Sequence, residues 1–301
     1  MRKIFVPTDF STCAENALKA AANIARKAKA EVFLFHTLDI PMEWEKVPVS
    51  EESRYPETRQ RVLFARQRLK DWAEKEFLKD ITVNTGLYFN KGISEIVSVA
   101  KTQATDLIVM GTRGASTLTN WILGSNTQRV IRLAKSPVLT INEYCTDFSI
   151  NRLVFASSFE EKNGLMPTVD VIMELEALFN VDVHLLKVKG PHDSSEFDAG
   201  IMEELVKRNF AKKSTIDIDS YETVDEGIFR YAESVDADLI VIATHGRTGL
   251  SRFFMGNLSE VVVNYSPIPV MVTHFEQTGM YGSVEPQPDL GEGATNLSFT
   301  R

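Results

Sequence analysis

Two short segments of this chain hold the residue types best suited to gripping an anion. The first is Val6-Pro7-Thr8-Asp9-Phe10-Ser11, and the second is Met110-Gly111-Thr112-Arg113-Gly114, from which nine residues lead to Gly124-Ser125. Glycines let a backbone turn with positive φ and come close to a phosphate. A helix opening at Ser125 would present unpaired N–H groups, the positive end of its dipole and a hydroxyl. Asp9 has no basic neighbour in sequence and could accept hydrogen bonds from a ribose or a base. A purely structural reading stands beside each of these. Ser125-x-x-Gln128 is itself a capping box, Gly111 and Gly114 could simply turn the chain, and Asp9 could cap the first helix.

The elements that would carry these segments are read from apolar periodicity. In the first half, Ile4–Pro7, Val32–Phe35, Thr82–Tyr88, Leu107–Met110 and Val138–Ile141 read as strands, with runs apolar on both faces as in buried parallel sheets. Helical patterns occupy 14–28, opened by Thr12-x-x-Glu15 as a capping box, then 57–79, 93–103 and 126–135. The second half repeats the order through strands at 152–156, 182–188, 215–221, 239–243 and 269–273 and helices at 168–179, 199–212, 227–235 and 258–265. The resulting βαβαβαβαβ order implies an α/β fold, a five-stranded parallel sheet in each half with helices on both faces.

The halves are copies. Residues 106–141 lie on 238–273 at a constant offset of 132, with eleven of 36 pairs identical, among them Asp106/Asp238, Gly114/Gly246, Gly124/Gly256 and Pro137/Pro269. Near the start of each copy the offset is 149, so the first copy carries about 17 extra residues, placed in the Pro-, Glu- and Ser-rich stretch 40–56. Domains are expected at 1–145 and 150–275, joined without a flexible linker, with 276–301 an irregular arm.

Composition narrows the function. A formal charge of −8 disfavours a nucleic-acid partner, and no apolar run approaches the 18 residues of a membrane span. A cytoplasmic protein is expected, without membrane association. Cys13 and Cys145 make neither a disulfide framework nor a metal site, and the five histidines show no HxxxH or HExxH spacing. His36, at a strand end, reads as a partly buried polar residue. The apolar loop residues Leu118, Trp121, Ile122 and Leu123 read as packing, with docking as the alternative.

The combination Pro7-x-Asp9-x-Ser11, Gly111-x-x-Gly114 with nine residues before Gly124-Ser125, and Ser136-Pro137-Val138-Leu139 resembles the universal stress protein family, in particular its tandem members. The likeness covers roughly 1–143 and 151–275. It implies two tandem flavodoxin-like, adenine-nucleotide-hydrolase-like domains and, in one branch of the family, ATP bound without a Walker-type loop, with Mg²⁺ carried by the phosphates. Carried over by position, the nucleotide would touch Pro7, Thr8 and Asp9 on its adenosine side. Thr37 and Met110 would lie near the base. Gly111, Arg113, Gly114, Gly124, Ser125 and Asn126 would surround the ribose and phosphates. Family members commonly hold a small apolar residue where this chain has Asn126.

The second copy departs further: Ser158 stands for Asp9, Ala243 for Gly111 and Asn257 for Ser125. Alanine where positive φ is required would cost about 1 kcal/mol. One competent site, in the first copy, is therefore expected. The resemblance also implies that 137–142 and 269–273 pair within the chain as an internal pseudo-dimer, leaving a further homodimer open. The expected function is a stress-linked adenine-nucleotide-binding protein that presents a nucleotide-dependent surface to a protein partner yet to be identified. It is not expected to be an enzyme, beyond slow ATP hydrolysis, because no general base stands beside the loop. The alternative is a nucleotide-independent interaction or chaperone-like scaffold.

Overall fold

A computed structural model describes residues 1–90, 92–112, 125–159, 162–190, 199–210, 214–244 and 257–274. The expected tail at 276–301 lies outside these residues, as do Arg113, Gly114, Gly124 and the apolar loop at 118–123. The first half runs β1 (Lys3–Pro7), α1 (Thr12–Ala28), β2 (Glu31–Leu38), α2 (Pro56–Ala73), β3 (Val83–Phe89), α3 (Ile93–Thr102), β4 (Leu107–Thr112), α4 (Ser125–Leu133) and β5 (Val138–Asn142). The second runs β6 (Arg152–Ala156), α5 (Lys162–Phe179), β7 (Asp182–Lys189), α6 (Ala199–Asn209), β8 (Ser214–Ser220), α7 (Val224–Ser234), β9 (Leu239–Thr244), α8 (Asn257–Tyr265) and β10 (Val270–His274).

The strands form one ten-stranded sheet in the order β3-β2-β1-β4-β5-β10-β9-β6-β7-β8. Every pairing within a half is parallel. The halves meet where β5 and β10 pair antiparallel, with Met271 opposite Leu139, so two sheet edges satisfy each other as expected of 137–142 and 269–273. Side chains reinforce that seam: Thr140 Oγ1 donates to Val270 O at 2.9 Å, and Asn142 Nδ2 to Pro267 O at 2.8 Å. The two layers flanking the sheet are apolar. Ile4, Val6, Leu34 and Val109 face the side packed by α1, α2 and α5, while Phe5, Ile108 and Met110 face the side packed by α3 and α4.

The identical pair Asp106/Asp238 has a shared task. Asp106 Oδ2 accepts from Lys3 N at 2.9 Å, and Asp238 Oδ2 from Arg152 N at 3.0 Å, so each carboxylate pins the start of its half's central strand. Both copies thereby hold the same register at the end of the sheet opposite the ligand-type loops.

Three expectations need correction. The pattern over 57–79 is not one helix: α2 ends at Ala73, and Glu76–Leu78 form a separate 3-10 turn. Trp72 and Leu78 are both buried in one core layer, yet a continuous helix would set them about 120° apart around its axis. The break at Lys75, whose backbone is extended, lets both face inward. Second, α1 is capped by Ser11 rather than by a Thr12 box: Ser11 Oγ accepts from Ala14 N at 3.3 Å, and Glu15 turns instead to Lys75 Nζ at 3.0 Å. Third, α5 begins at Lys162, not 168, and contains Pro167. Leu165, ahead of the proline, is fully buried, and its packing holds the first turn in place.

The first half's insertion is structured. Trp44 is buried with Ile40, Val62 and Phe89 in a small core of its own. Asn90, with φ 52°, ties it down: Asn90 Oδ1 accepts from Ile40 N at 2.7 Å, and Nδ2 donates to Met42 O at 2.9 Å.

Candidate functional site

In open α/β sheets the crevice lies beyond the carboxyl ends of the strands where their order reverses. Here that point falls between β1 and β4 in the first half, and between β6 and β9 in the second. Ile4 pairs with Leu107 and Phe5 with Ile108. The same register carries Pro7 to the level of Met110, so the two candidate segments leave the sheet side by side. On the other flank, Pro7 pairs with Phe35, which puts half-buried Thr37 two residues further along the same edge.

The turn after β1 is tightly specified. Thr8 is buried, donates its N–H to Phe35 O at 2.7 Å and accepts from Phe10 N on its hydroxyl at 2.9 Å. Asp9 Oδ1 accepts from Ser11 N at 2.9 Å, a side-chain-closed turn, and the carboxylate is exposed. Asp9 thus closes the turn before α1 and does not cap the helix. Phe10 takes φ 63°, uncommon for a bulky residue, and its ring lies 4.4 Å from that of His36. His36 Nδ1 is 2.7 Å from Thr8 O, which makes that nitrogen the donor. Burial holds the His36 imidazole below its ordinary pKa, and the nearby Arg68 charge adds to this. His36 is therefore a support beneath the turn, in keeping with its reading as a partly buried polar residue.

The segment after β4 is governed by close packing. Met110 is buried in the layer shared with α3 and α4, so its side chain belongs to the core. Gly111 does not have a left-handed backbone. Its requirement is steric: a Cβ there would sit 2.4 Å from Cys13 C and 2.5 Å from Cys13 O, because β4 passes directly against the first turn of α1. The expected reason for glycine at this position, a positive φ, is thus replaced by the closeness of the Cys13 backbone to any Cβ placed there. Ser125 opens α4, with its side chain outside the described residues, and Asn126 is exposed in the same first turn. Of the candidate residues, Pro7, Thr8, Asp9, Thr37, Met110 and Gly111 gather at the carboxyl edge. No group of three metal-ligating side chains occurs among the described residues.

The residues that support the turn, Phe10, Arg68 and Trp72, escaped the sequence reading. Phe10 adjoins Asp9 and could have drawn notice, but Arg68 and Trp72 reach it only through the packing of α2.

The second crevice keeps the frame and changes the contents. Ser157 N donates to Leu186 O at 3.3 Å, matching Thr8, and Phe159 takes φ 54°, matching Phe10. Ser158 is buried where Asp9 is exposed. Lys187, 2% exposed, holds the position of His36, and the buried Ser157 hydroxyl has no hydrogen-bond partner among the described residues.

Comparison with known proteins agrees with this architecture. The model of the universal stress protein family matches residues 1–142 and 167–274. Universal stress protein MJ0531 of Methanocaldococcus jannaschii is 34% identical over 152 residues, covering 47% of this chain and 82% of that protein. MJ0577 of the same organism is 30% identical over 154 residues, covering 46% of this chain and 94% of that protein. The crystal structure of a universal stress protein from Archaeoglobus fulgidus superposes with a TM-score of 0.67 at 20% identity, over 90% of this chain and 98% of that one, a likeness of fold. With its sheet order, its repeated halves and the family model matched twice, the chain belongs to the universal stress protein family.

Proposed function

We propose that the first crevice binds an adenine nucleotide, ATP with Mg²⁺ on its phosphates, and that occupancy regulates how the protein engages a partner during stress. The observation that carries this reading is the exposed Asp9 carboxylate, held by a fixed turn at the switch point between β1 and β4. Asp9 would accept from the adenosine, with Thr37 flanking the base. The backbone at Pro7, Thr8 and Gly111 would line the crevice, and the start of α4 at Ser125 and Asn126 would face the phosphates. Arg113, Gly114 and Gly124 complete the proposed set from sequence.

The proposed role is binding rather than catalysis. Asp9 is assigned to the adenosine side, and His36, whose Nδ1 donates to Thr8 O, to support beneath the turn, so neither is assigned as a general base toward a phosphate. Residues 1–145 and 150–275 are taken as the two domains. A cytoplasmic setting accords with two cysteines that form no disulfide. The second crevice, with Ser158 for Asp9, is proposed not to bind ATP.

Denaturing freshly purified protein and identifying the released nucleotide by mass spectrometry tests this, with Asp9→Ala as control. About one equivalent of ATP per chain, absent from the control, is expected. Two equivalents would assign ATP to the second crevice as well. No nucleotide, together with no calorimetric binding of added Mg·ATP, would replace this reading with the nucleotide-independent scaffold.

A further inference from the structure

Asp9 lies between two residues that the rest of the fold holds in place. Behind it, the Thr8 carbonyl accepts from His36 Nδ1 at 2.7 Å. Ahead of it, Phe10 is held in a left-handed conformation that its side chain disfavours, so something must keep it there. Three groups do so. The His36 ring lies 4.4 Å from the Phe10 ring, and Trp72 meets it edge-on at 5.3 Å with an interplanar angle of 78°. The Arg68 guanidinium sits 4.4 Å from the ring centroid, and its Nη2 donates to Phe10 O at 3.4 Å. Arg68 and Trp72 are four residues apart on α2 and so share one helix face.

The corresponding residue of the second half is held differently. Phe159 is fully buried and packs edge-on against Phe155 at 5.2 Å, so the core keeps its turn in shape. Phe10 is only half-buried and depends on a surface cation for part of its hold. Among the described residues, a cation over this turn's aromatic ring is found in the half that carries a carboxylate just before its phenylalanine.

We infer that Arg68 is a positioning residue of the first crevice: through Phe10 it fixes the turn that aims Asp9 at the nucleotide, and thereby sets affinity from a helix outside the crevice. The inference rests on the nucleotide reading above. Arg68 acts on both ends of the Phe10 residue, on the ring by cation–π attraction and on the carbonyl by hydrogen bonding. Losing both leaves the left-handed residue held by the Thr8 hydroxyl at its N–H and by the His36 and Trp72 rings, and Asp9 then samples orientations that do not meet the ligand.

The test is calorimetric titration of the full chain with Mg·ATP, alongside NMR titration of the His36 imidazole. The groups facing His36 are Arg68 from α2 and Asp9 from the turn. Arg68→Ala is expected to weaken ATP binding about fivefold, the equivalent of one partly buried cation–π contact, with Arg68→Lys recovering part of the loss. It should also move the His36 titration upward, because a neighbouring positive charge has been removed, and this readout separates the contact from general destabilisation. Should Arg68→Ala unfold the chain, Arg68→Gln decides, since it keeps a donor but removes the charge: weaker binding supports the inference, and unchanged binding overturns it. ATP bound equally by wild type and Arg68→Ala overturns the inference while the nucleotide reading stands. A wild type that binds no added Mg·ATP overturns both.

Discussion

The two crevices of this protein are built on the same strands in the same order, yet they differ at nearly every residue that could meet a ligand. Both turns donate an N–H to a carbonyl of the neighbouring strand, and both contain a left-handed phenylalanine. The first turn then offers an exposed carboxylate over a neutral-leaning imidazole, whereas the second buries Ser158 and places a buried lysine beneath. The frame of the crevice therefore belongs to the fold, and the ligand chemistry is laid over it. A steric difference accompanies the chemical one. Gly111 lets β4 run against the start of α1, and with Ala243 in its place, among the described residues, α5 approaches β10 rather than β9.

The halves also differ in that the first alone carries the insertion, and the largest expected effect lies there. Trp44→Ala should cost about 4 kcal/mol by emptying the small core under residues 40–47. Hydrogen exchange checks this: protection should fall around the insertion and Asn90 while the second half is unchanged. A uniform loss across both halves would show that the insertion belongs to a single cooperative core.

Next comes the pair Gly111→Ala and Ala243→Gly. The first forces a methyl group into the Cys13 backbone and should destabilise by about 3 kcal/mol, read from denaturant midpoints. The second only loosens a strand and should cost about 1 kcal/mol. Equal effects would remove the steric part of the comparison. Asp9→Ala should weaken ATP binding by about 30-fold, the scale of a charged hydrogen bond, with little change in thermal midpoint because the side chain is exposed. Unaltered affinity would place the binding determinant elsewhere.

The smallest effect is a pH dependence. Burial lowers the folded-state pKa of His36, so the unfolded chain takes up the proton more readily. The stability that neutral His36 contributes is full above the unfolded value of about 6.5, and it is lost as pH falls through that value toward the lowered folded one. His36→Gln cannot titrate. Between pH 7.5 and 5.5 its thermal midpoint should fall by about 2 °C less than that of the wild type. Equal falls would mean that His36 is not protonated differentially. The second half has no histidine at the corresponding position.

Much of this molecule was legible in advance because its signals are local. Leu107–Met110 reads as a buried strand from its own residues, and β4 contains it and runs on to Thr112; the duplication follows from matching 106–141 to 238–273. The pairing of β5 with β10 came from the family resemblance, and the seam has that arrangement. What escaped were features set by contacts between distant segments. The break in α2 answers a demand that Trp72 and Leu78 face one core, which no local propensity records. Glycine at 111 looked like a turn requirement but answers to the backbone of Cys13, nearly a hundred residues earlier.

The sequence by itself determined the α/β class, the two copies and the segments that end the central strands, because hydrophobic period and glycine spacing act over a few residues. Only the tertiary structure decided which of those residues face a crevice. It turned Met110 into the core, left Asp9 exposed on a turn clamped by Arg68, Trp72 and His36, and put a buried lysine under the second turn. Those outcomes depend on how helices lie across the sheet, and that is fixed by the packing of the whole chain rather than by any one segment.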